Sequence, residues 1–589
     1  MDQELRTLIE SKFQVPVVEG EDKVCSLQEA IRRHVKEGMA INMLGGGALT
    51  YQLIREFWGK RPNFTLITHG LTATLLALIQ GSLIRKAVVS FAGDTYPSPG
   101  PNPVVQKAYI SGEVEFENWT MLTVPQRLLA GAMGWGFIPT KSLLGSSMEE
   151  ENKESLIVMD DPFNQGEKIG LMKALNPDIA LIHGFAADRC GNTIMTYPLG
   201  PDAFGAWAAK SGVIVSAEKI VPTEYIRRHS HLVRIPSYLV RAVCEVPYGA
   251  HPGGMTSFGL PEFEHYFPDY QFTIEVREAS KSEQKFLKWI RDWILACKDQ
   301  NDYLSKLGKD RLLYLKGKAD SDAWMAETLS EIPRIDFKRR PNSLERMVVT
   351  GARVVAEKCV EKGYETILTG VGFSNLSAWL AGYELRARGQ VVDLMAEIGM
   401  YGYLPRASDP TIFSYHNLPT CKLLTNIETM LGVFVGGSAN RCLGVLAAGQ
   451  ADKFGNVNST KIPGKFYLTG SGGSNDIASN SRETVVVINS GKQRLVEKVP
   501  YITYPGKNVK TLVTDVGVFE KLDANETFTL TAYIPSQAGQ KEEEAIAEIR
   551  EKVGWKLDLA SDLKRVQPPT KEEISLLRLF DPKGYFIGT

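Results

Sequence analysis

The sequence predicts an α/β protein made of two homologous domains in tandem, each with a mostly parallel sheet covered by helices. Three observations lead to this prediction. The chain has 589 residues, which is more than a single hydrophobic core of roughly 250–300 residues accommodates. A block of helix, apolar strand and glycine-rich loop occurs once in each half, and a polar turn sequence then recurs in the same order. Apolar runs such as ETILTG and TVVVIN alternate with helical segments, as is typical of parallel sheets covered by helices.

The first repeated block is a helix that leads into an apolar strand and glycines. It reads into MAINMLGGG in the first half and into YETILTGVG in the second. Each helix begins with capping-box spacing and is expected to end at a glycine. These residues are Ser26, Glu29 and Gly38 in the first half, and Asn342, Glu345 and Gly363 in the second.

The second repeated block is a polar turn. HGFAADRCGNT at 183–193 matches AAGQADKFGNVN at 447–458, with aspartate, glycine and asparagine aligned at a constant separation. We therefore expect the two turns to be structurally equivalent, although α/β units with short polar turns also resemble one another without common descent. The spacing between blocks is longer in the first half, which predicts an insertion within 90–160. The proline and glycine of FAGDTYPSPGPNP in that stretch predict surface loops.

These patterns divide the chain into three parts. Residues 1–285 form the first α/β domain and residues 343–589 form the second. Residues 286–342 are polar and charged, and we interpret them as a helical and linker segment. The active site is expected at the interface of the two domains.

Composition excludes several classes of protein. Hydrophobic residues make up 43% of the chain, charged residues 23%, and the net charge is −1, so no nucleic-acid partner is predicted. The seven cysteines are scattered and form no CxxC, which favours a reducing, cytoplasmic location and no disulfide framework. The N-terminal residues lack the pattern of a signal peptide, and no charge-free apolar run predicts a membrane span.

Four segments of the second half follow apolar strands, where open α/β sheets bind ligands. They are 368–374, 391–403, 449–460 and 467–479. Glycines in the first and last could bring backbone N–H groups to an anion, although a glycine turn before a helix is often purely structural. The candidate residues there are Gly370, Gly372, Gly470, Gly472, Gly473 and Ser474. The spacing G-x-G-G matches neither a dinucleotide fingerprint nor a P-loop.

The two middle segments each contain a polar candidate. Glu397 follows an apolar strand and precedes Gly399, so it is either a substrate-accessible carboxylate or a helix cap or ion-pair partner. Gln450 could donate a hydrogen bond to a ligand carbonyl. Asp452 and Asn456 fit better a turn that satisfies its own backbone.

Metal and phosphate sites are weaker interpretations. His229 and His231 alternate without a third ligand nearby, so no metal is predicted. Arg227, Arg228 and Arg234 could bind phosphates or could simply form a solvated basic face. Neither GxSxG nor HExxH occurs.

These motifs identify a family resemblance. The second half resembles the beta subunit of glutaconate CoA-transferase, a family I CoA-transferase, through TGVG, Glu397-x-Gly, GQADKFGNVNST, TGSGGSNDIAS, KVPYITYPG and TLVTDVGVF. The first half resembles the alpha subunit more loosely, through GGGALTYQLIREF, FAGDTYPSPGPNP and VPYGAHPGG. Together these segments cover most of the chain outside the linker.

The resemblance implies a reaction and roles. Glu397 matches the glutamate that attacks an acyl-CoA thioester, forms an acyl-glutamyl anhydride and then a glutamyl-CoA thioester, and passes CoA to a second carboxylate. Backbone amides of Val371 and of Gly472 or Gly473 match the oxyanion donors. Substrate and CoA binding is expected at Gly370, Gly372, Gln450, Gly470 and Ser474. The CoA thioester is then a substrate, no permanent cofactor or metal is expected, the other ligand is a carboxylic acid, and the chain is expected to form a homo-oligomer.

Two features differ from the family pattern. Ile398 stands where serine or asparagine often follows the glutamate, and the two subunits are fused with alpha first. Some relatives are CoA-thioester hydrolases or decarboxylases, and the decarboxylases lack the glutamate, so its presence here favours transfer. A non-catalytic acyl-CoA sensor is a third possibility, but no helix-turn-helix pattern supports it.

Overall fold

The computed structural model describes residues 2–43, 47–201, 203–522 and 526–588. The strands of the first half are β1 Ala40–Met43, β2 Phe64–Leu71, β3 Ile84–Ala92, β4 Glu115–Asn118, β5 Phe137–Thr140, β6 Leu156–Asp160, β7 Lys168–Lys173, β8 Ile179–Asp188, β9 Thr193–Ile194, β10 Val213–Val221, β11 Val233–Ile235 and β12 Val240–Glu245. Its helices are α1 Gln3–Lys12, α2 Leu27–His34, α3 Ala48–Phe57, α4 Leu76–Gln80, α5 Pro103–Ser111, α6 Thr123–Ala132, α7 Ser147–Glu151, α8 Phe204–Ala208, α9 Thr223–Arg228 and α10 Tyr270–Ser280.

A helical segment connects the halves through α11 Glu283–Ile290, α12 Gln300–Leu307, α13 Lys309–Lys318 and α14 Ala323–Glu331. The strands of the second half are β13 Thr366–Thr369, β14 Asp393–Ala396, β15 Met400–Tyr403, β16 Leu423–Leu424, β17 Cys442–Ala447, β18 Gln450–Asp452, β19 Val457–Asn458, β20 Lys461–Ile462, β21 Phe466–Tyr467, β22 Glu483–Val487, β23 Leu495–Val496, β24 Val509–Val513, β25 Gly517–Glu520, β26 Thr529–Tyr533 and β27 Asp558–Arg565. Its helices are α15 Ser343–Lys362, α16 Phe373–Ala387, α17 Ser474–Asn480, α18 Glu542–Lys552 and α19 Lys571–Phe580.

Each half is built on one large sheet with a parallel centre. The order β2-β1-β8-β10-β12 in the first half corresponds to β14-β13-β17-β22-β24 in the second, and all of these neighbours pair in parallel. The runs ETILTG and TVVVIN form β13 and β22, which are buried within the sheet. The predicted fold class and the tandem arrangement are therefore confirmed.

The repeated polar turn has the same hydrogen bonds in both halves. Asp188 Oδ1 accepts from the backbone N–H of Asn192 at 2.9 Å, and its N–H donates to the Asn192 carbonyl at 3.0 Å. Asp452 makes the same two bonds with Asn456, each at 3.0 Å. The glycine of each turn has a positive φ, which an L side chain rarely adopts. The predicted equivalence of the two turns is confirmed, and the aspartates act within the turn.

Some local expectations were wrong. The α15 helix has the full capping box of Asn342 and the left-handed Gly363 as predicted. The α2 helix, however, ends at His34, because Val35 is already extended, and Gly38 belongs to the turn before β1. The glycine loop at 45–47 lies partly outside the described residues, since residues 44–46 are not described.

The connecting segment packs against the first half. Its α11 begins at Glu283, so the predicted boundary at 285 falls inside a helix. Phe286 and Ile290 of α11 and Tyr303 of α12 are buried in the same hydrophobic cluster as β1, β2 and β3. The segment is therefore partly a continuation of the first domain. Among the helices in the described ranges, none has the length and apolar character needed to cross a membrane.

Candidate active site

A cavity of about 500 Å³ lies where the two halves meet. The halves are joined there by backbone bonds: Ala92 N–H donates to the Thr469 carbonyl at 2.7 Å, and Gly472 N–H donates to the Ser90 carbonyl at 2.9 Å. The end of β3 thus holds the glycine loop before α17. The lining residues used below are Phe91, Ser98, Gly100, Gly370, Val371, Gly372, Phe373, Glu397, Phe413, Ala447, Gly470, Gly472, Gly473, Ser474, Val487, Asn489, Arg494, Tyr585 and Phe586.

Glu397 lies at the carboxyl end of β14, in the turn that leads into β15. Gly399 makes this turn possible, because it has φ of 115° and a Cβ there would overlap the Thr425 carbonyl. Burial raises the pKa of Glu397 to about 7, the nearby Asp476 carboxylate raises it further, and the backbone of Gly473 acts in the opposite direction by hydrogen bonding. The carboxyl is therefore close to half ionised at neutral pH.

The glycine loop approaches Glu397 at Gly473. A Cβ on Gly473 would overlap Oε2 of Glu397, so only glycine leaves room for the carboxylate. The N–H of Gly472 is bonded to Ser90 and is therefore not available to an oxyanion, which corrects one of the two expected donors. Among the described residues, no backbone carbonyl accepts from the Val371 N–H in the loop after β13. Gly473 and Val371 are thus the two backbone amides that can face a ligand beside Glu397.

Asp476 connects this loop to the first half. It lies in the first turn of α17, is fully buried, and accepts from the Thr120 hydroxyl at 2.6 Å and from the Leu122 N–H at 3.1 Å. Burial raises the pKa of Asp476 to about 6, while the hydrogen bonds from Thr120, Ser142 and Leu122 oppose that rise. The sequence analysis did not single out Asp476. An acidic residue just after a glycine loop at a helix start was the available signal.

The remaining predicted site residues divide into two groups. The predicted glycines Gly370, Gly372 and Gly470 and the hydroxyl-bearing Ser474 line the cavity. Gln450 lies outside the lining, because its amide donates to the Gln493 carbonyl at 2.9 Å and its oxygen accepts from Asn458 at 2.9 Å. That geometry leaves the side chain of Gln450 engaged within the protein rather than directed at a ligand.

Several lining residues were not predicted. The proline-rich loop was expected to be a surface loop, but Ser98 to Pro101 form a wall of the cavity. Arg277 holds this loop by donating to the carbonyls of Tyr96 and Ser98, and it pairs with Asp94 at 3.2 Å. No local pattern marks such a wall, since its residues meet the site only through the packing of the two halves.

The first half carries a closed counterpart of this cavity. The turn equivalence aligns His183 with Ala447, and strand pairing then aligns Ser216 with Val487. His183 bonds to Ser216 at 2.8 Å and to Glu218 at 2.7 Å, and the Glu218 carboxylate also accepts from the backbone of the loop after β12. Polar side chains thus occupy the space that alanine and valine leave open in the second half.

The same register aligns His69 of β2 with Glu397 after β14. Burial lowers the pKa of His69 to about 4, so the imidazole is neutral at pH 7. The first half therefore has neither an open cavity of this kind nor the carboxylate, and the pseudo-symmetric chain contributes one such site.

The alternative sites have ordinary structural roles. His229 Nδ1 bonds to the Tyr225 carbonyl at 3.0 Å, and within the described ranges no group of three His, Cys, Asp or Glu side chains could hold a metal ion. Arg227 pairs with Glu19, Arg228 pairs with Glu224, and Arg234 donates to the Tyr197 hydroxyl. All seven cysteines are free thiols.

Comparison with known proteins gives the following matches. The family model described as Coenzyme A transferase matches residues 24–246 and 434–539, which include the glycine loop before α17 but not Glu397. One of the two subunits of glutaconate CoA-transferase from Acidaminococcus fermentans is 30% identical over 225 residues, or 36% of this chain and 68% of that protein. The other of the two is 29% identical over 170 residues, or 25% of this chain and 60% of that protein.

Two further matches extend over more of the chain. An uncharacterized protein of Archaeoglobus fulgidus is 28% identical over 299 residues, which is 50% of this chain and 64% of that protein. The solved structure of an acyl-CoA transferase from Escherichia coli O157:H7, in a thioester complex with CoA, has a TM-score of 0.62 and 16% identity, and the match covers 98% of this chain and 99% of that one. This last similarity concerns the fold of both halves together.

Proposed function

The chain belongs to the coenzyme A transferase family, and we propose that it moves CoA between an acyl-CoA and a carboxylic acid with Glu397 as the covalent nucleophile. The family uses CoA thioesters as substrates, so CoA enters as a reactant. The observation that carries the proposal is the position of Glu397, a carboxylate facing the cavity at the junction of the two halves, beside the Gly473 amide.

The proposed reaction has two exchanges at one carboxylate. A Glu397 oxygen attacks the thioester carbonyl, the oxyanion forms, and the C–S bond breaks to release CoA thiolate and leave an acyl-glutamyl anhydride. The thiolate then attacks the glutamyl carbonyl, which releases the donor acid and leaves a glutamyl-CoA thioester. The acceptor acid repeats these steps in reverse. Each covalent intermediate divides a difficult exchange into easier steps.

The site geometry supports these roles. A raised pKa makes the ionised carboxylate more basic, and therefore a better nucleophile, while leaving about half of it ionised at pH 7. The Val371 and Gly473 amides are placed to receive the oxyanion, and one preorganised donor contributes about 3 kcal/mol in comparable sites. Binding of the remote part of CoA can then be used at the reacting carbon.

The test is a covalent adduct. Incubation of the protein with acyl-CoA in the absence of an acceptor should add the mass of CoA less one water to a peptide that contains Met395 to Tyr401. Borohydride should reduce this thioester and inactivate the protein. Glu397→Gln should bind acyl-CoA without forming the adduct, whereas Glu154→Gln, at an exposed surface position, should behave as wild type.

The outcomes separate the competing functions. A hydrolase that uses Glu397 as a base would release acid and CoA with no adduct and no exchange between labelled acids. A binding protein would turn over nothing in either variant. Full exchange by Glu397→Gln, after deamidation to glutamate has been excluded by mass spectrometry, would refute the assignment of Glu397.

Assembly and location remain predictions. We propose a homo-oligomer, to be checked by light scattering of the purified chain. We also propose a cytoplasmic location, since seven free thiols are suited to a reducing compartment. Fractionation of cells that produce the protein would test it.

A further inference from the structure

The cavity has an apolar aromatic end. Phe373, Phe413, Tyr585 and Phe586 line it, and all four belong to or pack against one hydrophobic cluster together with Val371. Phe586 closely approaches the glycine loop after β13: a Cβ on Gly372 would lie 3.7 Å from its ring. The aromatic end therefore begins next to the amide proposed to hold the oxyanion.

Charge is distributed unevenly along the cavity. Among its described lining residues, Glu397 and Arg494 are the two that carry charge. Arg494 is exposed and lies beyond β22, next to β18, since its carbonyl accepts from Ala451 N–H. In the sheet order β14-β13-β17-β22, this position is separated from Glu397 by three strand spacings, or roughly 14 Å. The cation is thus at the open, polar end of the cavity, far from the aromatic end.

The surroundings of the aromatic end do not supply a positive charge either. Arg277, behind the Ser98 to Pro101 wall, is paired with Asp94 and bonded to two carbonyls. The tyrosine ring of Tyr585 packs against Tyr96 with centroids 6.0 Å apart, and the carboxyl of Asp409, which is 5% exposed, lies close enough to raise the pKa of both phenols. The nearby charge that is not paired is negative.

Ile398 adds to the same apolar surface. Its side chain packs against the hydrophobic cluster that contains Phe586 and Val371, directly after Glu397 in the chain. The resemblance expects serine or asparagine at this position, so this chain replaces a polar group beside the nucleophile with an aliphatic one. Both the wall of the cavity and the residue after the nucleophile favour an apolar acyl group.

Resting on the proposed function, we infer that the acyl substrate is an apolar monocarboxylic acid with an aromatic or branched body, and not a dicarboxylic acid. Its acyl group lies among Phe373, Phe413, Tyr585 and Phe586, while the CoA arm extends toward Asn489 and Arg494. A second carboxylate at the aromatic end would lose its hydration without gaining a cation, which is strongly unfavourable. Aromatic rings gain contact area and ring-edge interactions from a phenyl or branched group.

Binding to the Glu397→Gln variant tests this inference without requiring turnover. Calorimetry should show phenylacetyl-CoA binding at least about 100-fold more tightly than glutaryl-CoA, with acetyl-CoA between them, because an unpaired buried carboxylate is disfavoured more than a missing apolar group. Phe413→Ala in the same background should weaken phenylacetyl-CoA about 10-fold or more and leave acetyl-CoA nearly unchanged. Phe163→Ala, at a phenylalanine that is 92% exposed on another surface, is the matched control and should alter neither.

Exchange assays on the wild-type chain separate the two proposals. Expected is CoA exchange between phenylacetate or isovalerate and their CoA esters, with glutarate and glutaconate at least about 100-fold poorer in kcat/KM. Tight, selective binding of phenylacetyl-CoA without any exchange would preserve the inference and refute the proposed transfer. Efficient exchange among dicarboxylic acids, or tighter binding of glutaryl-CoA than of phenylacetyl-CoA, would overturn the inference.

Discussion

Replacing Glu397 with glutamine removes a charge that destabilises the folded protein at neutral and alkaline pH. Burial is the main cause that raises the pKa of this carboxyl from 4.5 to about 7. A shift of that size corresponds to about 3 kcal/mol against the ionised form in the folded state. The carboxylate faces an open cavity, where water screens part of the effect. We therefore expect Glu397→Gln to increase the free energy of unfolding by about 2 kcal/mol at pH 8.

The pH dependence gives the sign of the effect. Above pH 7 the carboxyl is ionised in both the folded and the unfolded chain, so the wild type is destabilised in full. As pH falls from 8 to 5, the folded protein takes up a proton that the unfolded chain largely does not hold, and the wild type regains stability. Glutamine does not titrate. The advantage of Glu397→Gln should therefore be largest at pH 8 and small at pH 5.

The measurement is urea unfolding without CoA, followed by tryptophan fluorescence at both pH values. Glu154→Gln provides the control, because that side chain is exposed on the surface and should show no pH-dependent difference from wild type. A Glu397→Gln protein that is no more stable than wild type at pH 8, or equally stabilised at both pH values, would show that the buried charge has been assigned incorrectly.

Two further substitutions test the geometry around the nucleophile. Gly473→Ala should lower exchange by about 100-fold or more, because its Cβ displaces the Glu397 carboxylate from its site. Gly472→Ala is the comparison, since a Cβ there meets no atom within 4 Å, and it should retain most activity at a stability loss of about 1 kcal/mol from its φ of 52°; equal losses in both would contradict this account. Asp476→Asn should move the acidic limb of the kcat/KM profile to lower pH, because a charge that raises the pKa of Glu397 is removed, and should reduce kcat about 10-fold as the acceptor for Leu122 N–H is lost. An unmoved limb would show that Asp476 acts on Glu397 only through packing.

Much of the fold and part of the site follow from local sequence. The periodic apolar strands, the capping box at Asn342 and the paired polar turns predict two tandem α/β domains, because each depends on residues a few positions apart. Glu397 and the glycines around it could be found for the same reason: ligand sites of such sheets follow strand ends, which sequence patterns locate. The resemblance then assigned a role to Glu397 that its pattern alone left open.

Other features depend on contacts between residues far apart in the chain. Only the docking of β3 onto the glycine loop shows that the Gly472 amide is already bonded and that Gly473 faces the nucleophile. The engagement of Gln450 by its neighbours likewise follows from packing. The aromatic end of the cavity unites Phe413 and residues near the C-terminal end with a loop of the first half. Burial and hydrogen-bond partners decide which candidate can reach a ligand, and these arise only when the two halves pack together, because a linear pattern does not specify which distant surfaces meet.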